Sequence, residues 1–175
     1  KMGGAFILRV EDTDQARSTQ ASLDSLIRDL NWLGLTPDEG YSAETEGNYG
    51  PYRQSERLGI YQQYVNQLLE SGQAYYCFLT DEEIDQQRAK AKEDGTAYQI
   101  QSPYRDISLA EAKAKHATHS SATVRFKNMH TERTFQVQDL VRGNIQLPGH
   151  MVGDFVIMRS DGMPVYNFCC AIDDA

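Results

Sequence analysis

The stretch Phe6-Ile7-Leu8-Arg9-Val10, with Glu11-Asp12-Thr13-Asp14 directly after it, decides the fold class of this chain of 175 residues. From Ala5 to Val10 the residues are apolar apart from one arginine, and a glycine pair precedes them. A short apolar run between glycines and acidic residues predicts a buried strand that ends in a loop.

Two helical patterns and a further strand pattern follow. In the first helical pattern, apolar residues recur at helical spacing at Leu23, Leu26, Ile27, Leu30 and Leu33. Gly34 then stands where the residue after a helix commonly adopts the left-handed backbone conformation, so we expect the helix to end there. Ser55 precedes a second helical pattern that Gly72 ends, and a strand is expected from Ala74 to Leu79. A strand, two helices and a strand predict an α/β layer.

The middle of the chain has a different pattern. Thr80 with Glu83, and Ser108 with Glu111, fit the capping box that begins a helix. Polar and apolar residues then alternate, as in strands, over 123–127, 135–138 and 144–147. We therefore expect a small α+β insert at 75–161, after which an apolar stretch at 165–172 returns to the first layer.

Composition indicates a globular protein, since 40% of the residues are hydrophobic. No apolar run approaches the roughly 20 residues that span a bilayer, and no leader pattern is seen, so we expect no membrane association and a cytoplasmic location. Cys77, Cys169 and Cys170 do not resemble a disulfide pattern, and we expect reduced thiols.

The net charge of −8 argues against nucleic-acid binding over the whole surface, although a local patch can differ. Between Lys113 and Arg142 there are six Lys or Arg residues against two acidic ones. Two interpretations stay open for this stretch: an ordinary solvated basic face, or a local surface that contacts phosphate.

The acidic loop after the first strand is the first candidate site. Arg9, Glu11, Asp12 and Asp14 follow a predicted parallel strand, where ligands of open α/β sheets bind. A carboxylate there can pair with a substrate ammonium, and the Thr13 hydroxyl can bond to a ribose or a phosphate. Acidic residues also cap helices or face water, so both interpretations stay open.

Three segments carry a resemblance to a known family. They are residues 6–14 with Arg17-Ser18, residues 50–58 with Tyr61, and residues 160–168 with Asp173-Asp174. Trp32-Leu33-Gly34-Leu35 and Asp38-Glu39-Gly40 match between the first two. In this order the segments resemble the glutamyl-tRNA synthetases, a class I family. The glutaminyl enzymes are disfavoured, because their matching loop usually reads Asp-Asp-Thr-Asn.

The resemblance implies a fold and a domain organisation. Residues 1–74 and 162–175 would form part of a Rossmann-like class I catalytic domain, and 75–161 would be its inserted α+β connective peptide, which binds the tRNA acceptor stem. The family's two ATP-binding signatures, of the His-Ile-Gly-His and Lys-Met-Ser-Lys-Ser types, do not occur in the chain. We therefore expect an internal piece of a longer enzyme, inactive alone, with the site for ATP and Mg²⁺ mostly outside it.

The resemblance also implies roles for single residues. Glu11 is expected to hold the α-ammonium of glutamate, and Tyr166 and Cys170 to line the amino-acid pocket. The residues expected to contact tRNA are Thr13, Arg17, Arg125, Lys127 and Arg133. Arg53 and Arg57 fit either ion pairs at a helix start or phosphate contacts. No catalytic nucleophile is expected, since the family acts by positioning and charge stabilisation.

Zinc is not expected. Many members bind it in the insert through a Cys-x-Cys pair and a later Tyr and Cys, but Cys77 is the one cysteine here before Cys169. His116 and His119 are interpreted as surface residues.

The function that the resemblance implies is ATP-dependent activation of glutamate and its transfer to the 3′ end of tRNA(Glu), by a monomer. Two alternatives stay open. One is the shorter paralogue that glutamylates a modified tRNA base, and the other is a noncatalytic RNA-binding module.

Overall fold

The computed structural model describes residues 3–14, 17–44, 47–119 and 121–175, which form two compact units. The first contains residues up to 63 together with 163–175, and the second contains residues 64–162. The predicted boundaries of the insert, at residues 75 and 161, stay a prediction. Within the described ranges, no helix has the length and apolar character needed to cross a membrane.

The first unit contains a short parallel sheet. Strand β1 (Ile7–Leu8) pairs in parallel with β2 (Glu39–Gly40), and a parallel bridge joins Val10 to Arg53. Gly40 has φ of +108°, and a Cβ atom there would lie 2.3 Å from the Leu8 carbonyl oxygen. Glycine is therefore the residue that lets the two strands approach.

Strand β1 is shorter and more exposed than the apolar run predicts. Ile7 is 50% exposed and Phe6 is 37% exposed, so the prediction of a buried strand is wrong for the described residues. The reason is that a sheet of two short strands leaves side chains on its faces without cover.

The helices of the first unit begin and end at identifiable signals. Helix α1 (Gln20–Trp32) begins after Thr19, whose hydroxyl accepts from the Ser22 N–H at 3.2 Å. Gly34 follows its end with φ of +70°, as predicted. A 3₁₀ helix (Gln54–Glu56) leads to α2 (Leu58–Glu70), and α5 (Tyr166–Asp173) belongs to this unit.

Ser55 precedes α2, as predicted. The residue lies inside the 3₁₀ helix, and its hydroxyl donates to Asp12 Oδ2 at 2.7 Å. A partner distant in sequence has taken the side chain that a local cap would have used.

The second unit contains an antiparallel sheet of three strands in the order β3 (Ala74–Cys77), β4 (Thr123–Phe126) and β7 (Phe155–Met158). A hairpin of β5 (Thr134–Asp139) and β6 (Gly143–Pro148) forms a separate strand pair. Helix α4 (Leu109–Thr118) contacts β3. The buried side chains include Tyr75, Cys77, Val124, Ile157 and Met158. The three alternating stretches are confirmed as strands.

Helix α3 (Asp81–Glu93) begins with the predicted capping box. The Thr80 hydroxyl accepts from the Glu83 N–H, and the Glu83 carboxylate accepts from the Thr80 N–H at 2.8 Å. At α4 the Ser108 hydroxyl accepts from the Glu111 N–H at 3.2 Å. Both predicted helix starts are confirmed.

Candidate functional site

The residues predicted to hold an amino acid gather where β1 ends. The acidic loop leaves the carboxyl end of β1, and α5 carries Tyr166 and Cys170, which share one helix face because they are one turn apart. The Cys170 thiol donates to Glu11 Oε1, with 3.5 Å between the sulfur and the oxygen. The structure thus brings the three residues together, and their role in binding stays a prediction.

The hydroxyl and the thiol on α5 are neutral donors. Hydrogen bonds with Cys170 and with Glu11 raise the pKa of Tyr166 to about 12, so the phenol stays protonated at neutral pH. Burial is the largest cause that raises the pKa of the Cys170 thiol. The Cys170 thiol therefore presents its proton to the Glu11 carboxylate, and the Tyr166 hydroxyl lies beside both groups.

Arg9 links this carboxylate to the end of α5. Its Nη2 donates to Glu11 Oε1 at 2.8 Å and its Nη1 donates to Asp174 Oδ1 at 2.6 Å. Its Nε lies 3.7 Å from Asp173 Oδ2. One guanidinium therefore faces three carboxylates.

Asp173 is the buried centre of the unit's polar contacts, with a side chain that is 2% exposed. Its carboxylate accepts hydrogen bonds from three side chains: Arg57 Nε at 2.9 Å, Gln54 Nε2 at 3.0 Å and the Tyr61 hydroxyl at 2.9 Å. Burial, and then the hydrogen bond to Asp173, raise the pKa of Tyr61 well above its usual range. Asp173 therefore ties α5 to the 3₁₀ helix and to the start of α2.

Asp12 holds the acidic loop on the 3₁₀ helix. Its Oδ2 accepts from Arg53 Nε at 2.6 Å, and its Oδ1 accepts from the Ser55 N–H at 2.8 Å. Burial alone would raise the pKa of Asp12, but the hydrogen bonds from Arg53 and Ser55 lower it. Arg53 and Arg57 therefore both form ion pairs, and their contact with phosphate stays a prediction.

An open cleft of about 850 Å³ lies within the first unit beside this cluster. Its volume suits a small ligand. Two arginines line it, Arg9 and Arg57, and so do four acidic residues: Glu11, Glu39, Asp173 and Asp174. An excess of carboxylates over guanidiniums is typical of a site for a ligand that carries a cationic group.

The two loop residues predicted to contact tRNA lie in unlike surroundings. Thr13 is buried, with 8% of its surface exposed. The Arg17 side chain is 85% exposed, and its Nε lies 2.5 Å from Asp14 Oδ2. Arg17 is therefore placed at the surface, whereas Thr13 is not.

The three basic residues predicted to contact tRNA from the second unit also differ. The Lys127 side chain is 16% exposed, and its Nζ lies 2.8 Å from Asp106 Oδ1. Arg125 is half-buried and donates to the Asp154 carbonyl oxygen at 3.4 Å. Arg133 is exposed. Of the three, Arg133 is therefore the side chain most available to a partner.

The surroundings of Cys77 and of the histidines bear on the zinc prediction. The buried Cys77 thiol donates to the Ser102 hydroxyl, with 3.6 Å between sulfur and oxygen. The His116 ring centre lies 4.7 Å from that of Tyr76, and His119 lies 6.3 Å from Phe78. In the part of the chain that the structure describes, no three His, Cys, Asp or Glu side chains converge on a metal position.

Replacing Cys77 with serine is therefore expected to leave the zinc content unchanged. A structural zinc ion takes four protein ligands, and a thiol next to a hydroxyl supplies too few. The measurement is elemental analysis of the purified, untagged protein and the Cys77→Ser variant, with Cys169→Ser as the matched control. Loss of one zinc ion per chain in Cys77→Ser alone would contradict the prediction.

Sequence reasoning missed the roles of Asp173, Gln54 and Tyr61. All three lie in the segments that resemble the family, but Gln54 and Asp173 are 119 residues apart, so no local pattern joins them. The acidic pair that ends the apolar stretch at 165–172 was the available signal.

The comparisons with known proteins define the class. Residues 1–175 match the family model described as tRNA synthetases class I (E and Q), catalytic domain, and the chain belongs to this family. The predicted family and its α/β fold class are thereby confirmed.

Several proteins that this chain resembles are glutamate–tRNA ligases. The ligase of Bdellovibrio bacteriovorus is 53% identical over 177 residues, which cover 99% of this chain and 36% of that protein. The ligase of Saccharophagus degradans is 45% identical, with 99% and 34% covered. A crystal structure of a glutamate tRNA ligase from Elizabethkingia meningosepticum in complex with its amino acid matches with a TM-score of 0.83 and 36% identity, over 98% of this chain and 35% of that chain. The chain spans about a third of the length of these relatives.

Proposed function

We propose that the protein that carries this chain is a glutamate–tRNA ligase and that the first unit supplies part of its amino-acid site. The glutamate α-carboxylate attacks the α-phosphate of ATP, and pyrophosphate leaves. A ribose hydroxyl at the 3′ end of tRNA(Glu) then attacks the carbonyl of the glutamyl-adenylate, and AMP leaves. Relatives of this name, up to 53% identical, support the proposal.

The observation that carries the proposal is the excess of carboxylates beside Glu11 in the open cleft. An α-ammonium that pairs with Glu11 fixes one end of the substrate, which holds its carboxylate in a defined position for attack. The Cys170 thiol donates to the Glu11 carboxylate, and the Tyr166 hydroxyl lies beside both. This role is binding and orientation, and it requires no nucleophile from the protein.

ATP enters this reaction as a substrate together with Mg²⁺. Within the described ranges, no three side chains that could ligate a metal converge. We assign none of the cleft residues to the ion or to the triphosphate. The proposed role in charging tRNA also implies a cytoplasmic location, and we propose that the protein acts as a monomer.

Charging of tRNA by the purified gene product tests the proposal. Labelled glutamate and labelled glutamine are offered separately with ATP and bulk tRNA, and a second sample of tRNA first has its 3′-terminal adenosine removed enzymatically. We expect glutamate to be incorporated into intact tRNA and not into the shortened tRNA.

The other outcomes identify the alternatives. Glutamate incorporated equally into the tRNA that lacks its 3′-terminal adenosine would identify the paralogue that modifies a base. Incorporation of glutamine would overturn the amino-acid assignment. Binding of tRNA without incorporation of either amino acid would favour the noncatalytic module.

Arg133→Ala is expected to weaken tRNA binding and to reduce its dependence on salt. An exposed arginine that neutralises one phosphate releases counterions on binding, so its loss lowers the slope of log K against log salt by about one. Binding of a tRNA(Glu) transcript is measured between low and moderate salt. Arg88→Ala is the matched control, because Arg88 is also exposed but pairs with Asp85 at 2.9 Å. Equal slopes for Arg133→Ala and the unsubstituted protein would contradict the phosphate contact.

A further inference from the structure

We infer that Arg9 is a positioning residue of the proposed amino-acid site, where it holds the Glu11 carboxylate and is itself held by Asp174. The inference rests on the proposed function and adds a second group, acting through Glu11, to the recognition of the substrate ammonium.

The geometry of the guanidinium carries the inference. Arg9 donates from Nη2 to Glu11 Oε1 at 2.8 Å and from Nη1 to Asp174 Oδ1 at 2.6 Å. The guanidinium is planar, so fixing one Nη atom on Asp174 also fixes the direction in which the other meets Glu11. The Arg9 side chain is 23% exposed, and the Glu11 side chain is 32% exposed. Glu11 therefore has enough contact with solvent to reorient if Arg9 releases it.

Two donors to Glu11 share one of its oxygens. Both Arg9 Nη2 and the Cys170 thiol meet Oε1. Two donors on one oxygen restrict the orientation of the carboxylate, and a substrate ammonium adds a charged donor to it. A carboxylate in one fixed orientation binds an ammonium without the entropic cost of ordering a mobile side chain.

The balance of charge supports the same conclusion. Arg9 faces Glu11, Asp173 and Asp174, Arg57 pairs with Asp173, and Glu39 also lines the cleft, so carboxylates outnumber guanidiniums there. An ammonium group reduces that excess. Without Arg9, Glu11 and Asp174 would lose their guanidinium partner, and their repulsion would displace Glu11.

A merely structural role for Arg9 makes a different prediction. Arg9 also joins β1 to the end of α5, and a variant could lose activity because that join is lost. In that case the loss would be the same whether or not residue 11 is a carboxylate. A double-mutant cycle separates the two roles.

The experiment measures the KM for glutamate and for ATP, and kcat, during charging of tRNA by the gene product. The variants are Arg9→Met, Glu11→Gln and the two combined. We expect Arg9→Met to raise the KM for glutamate at least about tenfold, with the KM for ATP changed less than about twofold. In the Glu11→Gln background the same substitution should change the KM for glutamate by less than about twofold, because the group that Arg9 holds is no longer charged.

Two milder variants keep the inference testable if Arg9→Met does not fold. The Asp174 side chain is 65% exposed, so Asp174→Asn removes the anchor of Arg9 without burying an unpaired group. It should raise the KM for glutamate, and this effect too should vanish in the Glu11→Gln background. Arg9→Lys keeps the positive charge but not the planar pair of guanidinium donors. It should therefore lower the KM for glutamate part of the way back from its value in Arg9→Met.

The outcomes separate this inference from the proposed function. If the protein charges tRNA with glutamate but the effects of Arg9→Met or Asp174→Asn on the KM for glutamate multiply with the effect of Glu11→Gln, only this inference is overturned. Unsubstituted protein that neither charges tRNA with glutamate nor binds glutamate by calorimetry would overturn the proposed function, and this inference with it.

Discussion

Replacing Glu11 with glutamine is expected to lower the kcat/KM for glutamate about ten- to hundredfold in the protein that carries this chain. The amide keeps the shape of the carboxylate but loses the charge that pairs with the substrate ammonium. A hydrogen bond between charged partners contributes roughly 1.5–3 kcal/mol, which corresponds to that loss. The measurement is the charging rate of tRNA as a function of glutamate concentration at saturating ATP.

The control for this variant is Glu93→Gln, the same chemical change at an exposed position at the end of α3. It should leave both kinetic constants unchanged. The melting temperature of Glu11→Gln should stay close to that of the unsubstituted protein, since the Glu11 side chain is 32% exposed. If kcat and KM for glutamate are both unaltered in Glu11→Gln, Glu11 does not bind the substrate.

The acidic loop after β1 could be predicted from the sequence because both of its signals are local. An apolar run followed by carboxylates places those carboxylates at the end of a strand. The resemblance to a family then added Tyr166 and Cys170, which no local pattern connects with Glu11. The structure brings the three together.

The exposure of β1 and the partner of Ser55 were not predictable in the same way. Burial of a strand depends on which other elements cover it, and the apolar run alone does not contain that information. Serine is a common residue at the start of a helix, but the Ser55 hydroxyl donates to Asp12, 43 residues earlier in the chain. A partner that is distant in sequence outweighed the local signal.

Charge patterning in the second unit had the same limit. Arg125, Lys127 and Arg133 are equivalent in the sequence, since each adds one positive charge to a basic stretch. In the structure Lys127 pairs with Asp106, which lies 21 residues away, whereas Arg133 is exposed. A count of charges does not show which of them already have partners.

Asp173 is the clearest case of a residue whose importance is visible only in three dimensions. Its partners Gln54, Arg57 and Tyr61 lie between 112 and 119 residues from it in the sequence. A carboxylate that is 2% exposed and accepts from a guanidinium is a buried ion pair. Such a pair contributes little relative to an apolar replacement of both partners, but removing one partner leaves the other charge buried and unpaired.

Asp173→Asn is therefore expected to destabilise the protein by about 3 kcal/mol, because the half-buried Arg57 guanidinium loses its counter-ion and keeps only its bonds to the Tyr49 and Pro51 carbonyl oxygens. For a chain of this size that corresponds to a fall in melting temperature of at least about 6 °C. Thermal unfolding followed by circular dichroism measures it.

Tyr61→Phe, which removes one neutral donor, should lower the free energy of unfolding by about 1 kcal/mol. The matched control is Asp85→Asn, whose carboxylate is 71% exposed and pairs with Arg88. Equal melting temperatures for Asp173→Asn and Asp85→Asn would show that Asp173 does not hold the unit together.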